Sequence, residues 1–139
     1  MPRAKEFTVV IPDRPGALGQ CCIGLAEAGV NILAFQSFVE EGESLARFLV
    51  DDPASANTAL GRLQMNFEET DVVVVSLPHR PGELGRAAAR LGENKINIDY
   101  SYGGLGAGSE PLVVFGVDQV TRAATVLDEF AATRSDVSA

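Results

Sequence analysis

Two stretches of the sequence carry the residue types that hold a small zwitterion. Ile11-Pro-Asp-Arg-Pro-Gly-Ala-Leu-Gly19 returns as Leu77-Pro-His-Arg-Pro-Gly-Glu-Leu-Gly85, 66 positions later. Val30-Asn31-Ile32 returns as Ile96-Asn97-Ile98 at the same offset. Pro15 and Pro81 suit the first turn of a helix, where a missing N–H costs nothing. A helix N-terminus has free N–H groups and a partial positive charge, which suits a carboxylate. Gly16 and Gly82 remove the side chain that would keep a ligand off that backbone. Asn31 and Asn97 each offer a donor and an acceptor, and Asp13 could take an ammonium group. The alternative is structural: Pro-Gly forms the turn, Asp13 caps the helix, and Asn31 starts a strand after a glycine cap.

Other residues with chemical potential are fewer. Cys21 and Cys22 are adjacent, so a disulfide between them would be strained, and both read as small packing residues. A redox switch would need exposure and a lowered thiol pKa. His79 is the single histidine and the side chain best placed to respond to pH. Neither a nucleophile with an orienting carboxylate nor a metal-ligand cluster is visible, so no catalysis, no metal and no cofactor are expected. Gly103-Gly-Leu-Gly-Ala-Gly108 lacks the Lys-Ser/Thr of a phosphate loop and reads as a mobile hairpin turn, a lid over a pocket.

The elements that position these residues follow from the repeat. Between residues 11–37 and 77–103, ten of 27 positions are identical without a gap, where chance gives about one or two. Phe7–Ile11 is β-branched and ends at a proline, a strand. Leu18, Cys22, Leu25 and Ala26 form a helical stripe, and Gly29 sits where a C-cap belongs. Strands over Asn31–Val39 and Ser44–Val50 form a hairpin around Glu40–Glu43. Asp52-Pro53 opens a second helix, and a fourth strand lies near Met65–Glu69. The second copy predicts strand Val72–Leu77, helix Pro81–Leu91, strand Ile96–Tyr102, strand Leu112–Val117 and helix Gln119–Ala131. No strand is expected in Thr133–Ala139, which leaves the second sheet one strand short. The polar run Glu68–Asp71 separates the copies. The expected fold is α+β: two ferredoxin-like βαββαβ units, residues 1–70 and 71–139, packed side by side, each an antiparallel sheet with its helices on one face.

Composition sets outer bounds. Of 139 residues, 46% are hydrophobic and 22% charged, as in a globular protein. The net charge of −8, with arginines scattered singly, disfavours nucleic acid and anionic membranes. Neither a membrane-spanning run nor a secretory signal is apparent, which makes the cytoplasm the expected location.

Asp13-Arg-Pro-Gly-x-Leu-Gly followed by Gly29-Val-Asn-Ile32 resembles the ACT domain. His79-Arg-Pro-Gly-x-Leu-Gly followed by Ile96-Asn-Ile98 resembles a second one. The resemblance covers about residues 6–133 and is to the small stand-alone tandem ACT proteins. It implies a regulatory module for a free amino acid, two domains paired side by side in a continuous sheet of eight strands, of which seven are expected here, and partnership as a homodimer or with a metabolic enzyme. It also implies two pockets. One is the loop Asp13, Arg14, Pro15, Gly16, Ala17 and Leu18, faced by Asn97 and Ile98. The other is the loop His79, Arg80, Pro81, Gly82, Glu83 and Leu84, faced by Asn31 and Ile32. Asp13 becomes His79 and Ala17 becomes Glu83, so the two pockets should differ in polarity and affinity. The alternatives are a structural subunit of an enzyme that senses nothing, or a small ferredoxin-like enzyme.

Overall fold

A computed structural model describes residues 2–106 and 110–138, residues 133–138 by their backbone alone. Its strands are β1 (Arg3–Ile11), β2 (Ile32–Glu40), β3 (Glu43–Val50), β4 (Phe67–Ser76), β5 (Ile98–Gly104) and β6 (Leu112–Val117). Its helices are α1 (Ala17–Glu27), α2 (Pro53–Arg62), α3 (Glu83–Glu93) and α4 (Val120–Ser138). They form two compact units, Lys5–Thr70 and Asp71–Ala139, the latter joined by Met1–Ala4.

In the first unit β1 pairs antiparallel with β3, and β3 with β2. The Val10 N–H donates to Asn66 O at 2.9 Å, so the residues entering β4 flank β1 on its other side. The order 4-1-3-2 is that of a ferredoxin-like sheet. Strand alternation puts Phe7, Val9, Ile11, Ala46, Phe48 and Val50 on one face. There they meet Ala17, Cys21 and Leu25 of α1 and Ala56, Ala59 and Leu60 of α2 in one core.

The second unit repeats this with β4, β6 and β5. Val73, Val75, Leu77 and Phe115 pack on Ala87 and Leu91 of α3 and on Ala123, Leu127 and Phe130 of α4. Thr133–Ser138 continues α4 and so supplies no strand. Pro2, just before β1, lies beside β4 instead: the Val74 N–H donates to Pro2 O at 2.6 Å. A second expectation is corrected at Glu68–Asp71. These residues interrupt nothing, and β4 runs through them as one strand. The run lacks the Gly or Pro that would break a strand, and Glu68, Glu69 and Thr70 are exposed, so their polarity costs nothing. Gly103 and Gly104, expected in a turn, end β5 instead.

Three helices end in the same hydrogen-bonded wrap. After α1 the Gly29 N–H reaches Ala26 O and the Val30 N–H reaches Leu25 O, with Gly29 at φ +78°. After α3 the Lys95 and Ile96 N–H groups reach Gly92 O and Leu91 O, but Lys95 holds φ +59° with a side chain. Gln64 does the same after α2 at φ +57°. Left-handed backbone is strained for a residue with a Cβ. Lys95→Gly should therefore stabilise the protein by about 1 kcal/mol, visible as a higher urea midpoint at unchanged slope. An unchanged or lower midpoint would contradict it.

Candidate functional site

The first repeated turn is open. The Arg14 N–H donates to Pro12 O at 2.9 Å, and Gly16 at φ +86° stands at the N-cap of α1 without any side-chain cap. Asp13 therefore does not cap the helix; the left-handed glycine turns the chain into it, and Asp13 stands exposed. A Cβ on Gly16 would meet no atom within 4 Å, so the backbone at this helix end is accessible. Arg14 Nη2 donates to Gln20 Oε1 at 2.8 Å. A pocket of about 110 Å³ opens here between Pro12, Arg14, Ala17, Gln20 and Leu63. Pro15 is exposed, Ala17 is buried, and Leu18 packs half-buried against the core.

The second turn has the same backbone and a different filling. The Arg80 N–H donates to Pro78 O at 3.0 Å, and Gly82 holds φ +90° at the N-cap of α3. Glu83 takes the place of Ala17, and its side chain is buried. Its Oε1 accepts from Arg80 Nε at 3.3 Å and from Arg86 Nη2. Its Oε2 is buried with no hydrogen-bond partner among the described residues. A Cβ on Gly82 would lie 2.8 Å from Arg86 Nη1, so that guanidinium covers the face left open at Gly16. His79, Pro81 and Leu84 are exposed.

The Arg86 hydrogen bond holds the Glu83 carboxyl below its ordinary value of 4.5, against the opposing effect of burial, with Arg80 assisting. A depressed carboxylate stabilises the fold above its unfolded pKa and loses that contribution as pH falls through the folded one. Urea midpoints should thus fall more steeply below pH 4.5 in the wild type than in Glu83→Gln. Parallel curves would show that the carboxylate is not held.

The repeated asparagines open β2 and β5. The Asn31 N–H donates to Asp51 Oδ1 at 2.8 Å, and the Asp51 N–H returns to Asn31 O at 3.1 Å. Asn97 and Asp118 repeat the exchange at 3.0 and 3.3 Å. Only the asparagine backbone is used, so these bonds do not require asparagine. The Asn31 side chain is exposed and makes no hydrogen bond among the described residues, whereas Asn97 Nδ2 donates to Asp99 Oδ1 at 2.8 Å. Just beyond, the strand register slips between Ile32 and Ala34, and between Ile98 and Tyr100. A bulge at the same place in both copies re-aims the start of each strand, a device common beside binding sites. Ile32 and Ile98 are half-buried and pack against the cores of their own units.

Within one unit, turn and asparagine are not brought together. The 11 residues of α1 separate them by about 16 Å along the helix. The sequence reading missed Gln20, Arg86, Asp51 and Asp118. The signal for the aspartates was present, but the β5–β6 hairpin is one residue longer than β2–β3, which moves them to an offset of 67.

Cys21 lies in the core, and burial, with Cys22 beside it, pushes its thiol up to about 11. Burial raises Cys22 as well. Neither thiol has the lowered pKa of a redox switch. Tyr100 and Tyr102 stack on one face of β5 with ring centroids 6.4 Å apart. Among the described residues no group of three or more His, Cys, Asp or Glu could hold a metal. None of their helices is long and apolar enough to cross a membrane. Of the glycine-rich run read as a lid, Ala107 and Gly108 lie outside the described residues.

Two ferredoxin-like units, each entering its first helix through a left-handed glycine, define a tandem small-domain protein. The chain belongs to the ACT domain pair family, which matches residues 3–132. It is similar to a protein of Bacteroides thetaiotaomicron, with 26% identity, a TM-score of 0.81, and coverage of 93% of this chain and 89% of that one. It also shares its fold with the regulatory subunit of aspartate kinase from Thermus thermophilus, with 16% identity, a TM-score of 0.64, and coverage of 92% and 91%. Aspartate kinase from Synechocystis matches with 20% identity and a TM-score of 0.54 over 92% of this chain and 25% of its own. No curated protein matches the sequence.

Proposed function

We propose that this protein is a cytoplasmic regulator that binds a free amino acid and has no catalytic activity of its own. The observation that carries this reading is the first turn: an accessible helix N-terminus at Gly16 beside a small pocket bordered by Arg14. The turn supplies positive charge for a carboxylate. The opening of a second strand, Asn31-Ile32 or Asn97-Ile98, supplies an amide for the ammonium end. The two ACT domains, residues 1–70 and 71–139, or domains of two chains in a homodimer, are side by side in this reading, and the amino acid bridges them. A bridging ligand favours the associated form by linkage, and through it the protein engages or releases a metabolic enzyme. The shared fold of an aspartate kinase regulatory subunit supports an enzyme partner of that kind.

A thermal-shift screen against the twenty standard amino acids tests it. At 100 times its dissociation constant a ligand adds about 2.7 kcal/mol, a rise of several degrees. One or a few amino acids should give that rise, and Asn31→Ala or Asn97→Ala should reduce it without lowering the ligand-free melting point by more than a degree or so. No shift with any of the twenty would overturn the reading in favour of a subunit that senses nothing.

A further inference from the structure

The two turns carry the same backbone, yet only one has room at its glycine. At the first, Gly16 faces open space and a pocket borders Arg14, Ala17 and Gln20. At the second, Glu83 and Arg86 stand at the positions of Ala17 and Gln20. Arg86 lies over Gly82, and the Glu83 carboxylate is buried between Arg80 and Arg86.

We propose that the second turn carries its own built-in anion, the Glu83 carboxylate, and that the protein therefore binds one amino acid per chain, at the first turn. This rests on the amino-acid reading above and assigns its stoichiometry and its carboxylate receptor. Glu83 shows where an anion sits relative to this turn: between the guanidinium groups of Arg80 and Arg86. The counterpart of Arg80 is Arg14, which meets no carboxylate among the described residues and donates instead to the neutral Gln20, the counterpart of Arg86. A ligand carboxylate is a stronger acceptor than an amide and displaces Gln20 from Arg14. Ala17, lacking a side chain beyond Cβ, leaves the space that carboxylate needs. The second turn is thus permanently in the anion-bound arrangement, while the first changes when an amino acid arrives. One responsive half and one fixed half give a simple saturable response rather than two successive steps.

Isothermal titration of the full chain with each of the twenty amino acids tests this. The wild type should bind the responsive one at one per chain. Ala17→Glu, which copies the second turn into the first, should weaken it at least tenfold. Arg14→Lys should also weaken it, because a point charge replaces a fork. Glu83→Ala combined with Arg86→Gln, which copies the first turn into the second, should raise the stoichiometry toward two. Circular dichroism melts of each variant establish that it is folded. Two equal sites per wild-type chain, or undiminished binding by folded Ala17→Glu, would overturn the proposal and leave the amino-acid reading standing. No heat with any of the twenty in any variant would overturn both.

Discussion

Gly116→Leu should cost about 3 kcal/mol, the upper end of what overpacking does, and Tyr100→Ala should restore most of the loss. Gly116 lies opposite Tyr100 in the β5–β6 ladder. A Cβ built on it would clash with Cε1 and Cζ of the Tyr100 ring. At the matching place of the first unit Ala34 lies opposite Leu49. The two copies thus fill one cross-strand position with a large and a small residue, from opposite strands. Gly116→Leu alone puts two large side chains where one fits. The double variant rebuilds the pair already present at Ala34 and Leu49. Urea unfolding of the four proteins in the cycle gives the coupling, expected at about 2 kcal/mol in favour of the double variant. Additive losses would show that ring and glycine do not share the space.

Phe48→Ala should cost about 3–5 kcal/mol. Phe48 is fully buried, paired to Phe7 across β1 and stacked against Phe35 of β2 at 6.4 Å between centroids. It shares one core with Ala17, Cys21 and Leu25 of α1 and Ala56, Ala59 and Leu60 of α2. Phe115 holds the equivalent place in the second unit, 1% exposed, in a core with Leu91 and Leu127. Phe115→Ala should lose a similar amount. Since a domain has about 5–15 kcal/mol in all, either variant consumes much of it. A loss under 1 kcal/mol at either site would mean that the ring is not enclosed.

Much of this fold was legible because the sequence states it twice. The glycine turns, the helical stripes and the β2–β3 hairpin all follow from local chemistry and recur at one offset. What escaped was set by non-local pairing. Glu68–Asp71 is a polar stretch by composition, and only its place in a ladder makes it strand. Pro2 beside Val74 is a long-range hydrogen bond with no local signature. The turn residues stand out as a group because they recur at one offset. Their inequality was visible only as Asp13 against His79 and Ala17 against Glu83. That the acid is buried, and that Arg86 reaches back over Gly82, depends on side-chain geometry that spacing does not encode. The asparagines were chosen for their side chains, whereas their visible bonds to Asp51 and Asp118 run through the backbone.

The bond from Val74 to Pro2 has a consequence for how the chain is made. Translation delivers Pro2 some seventy residues before Val74, the residue it pairs with. Lys5–Thr70 can condense while synthesis continues, as domains generally do. Pro2 must meanwhile stay solvated and uncommitted, since its contact closes a long loop and forms late. Pro2 is thus among the last residues to find its place.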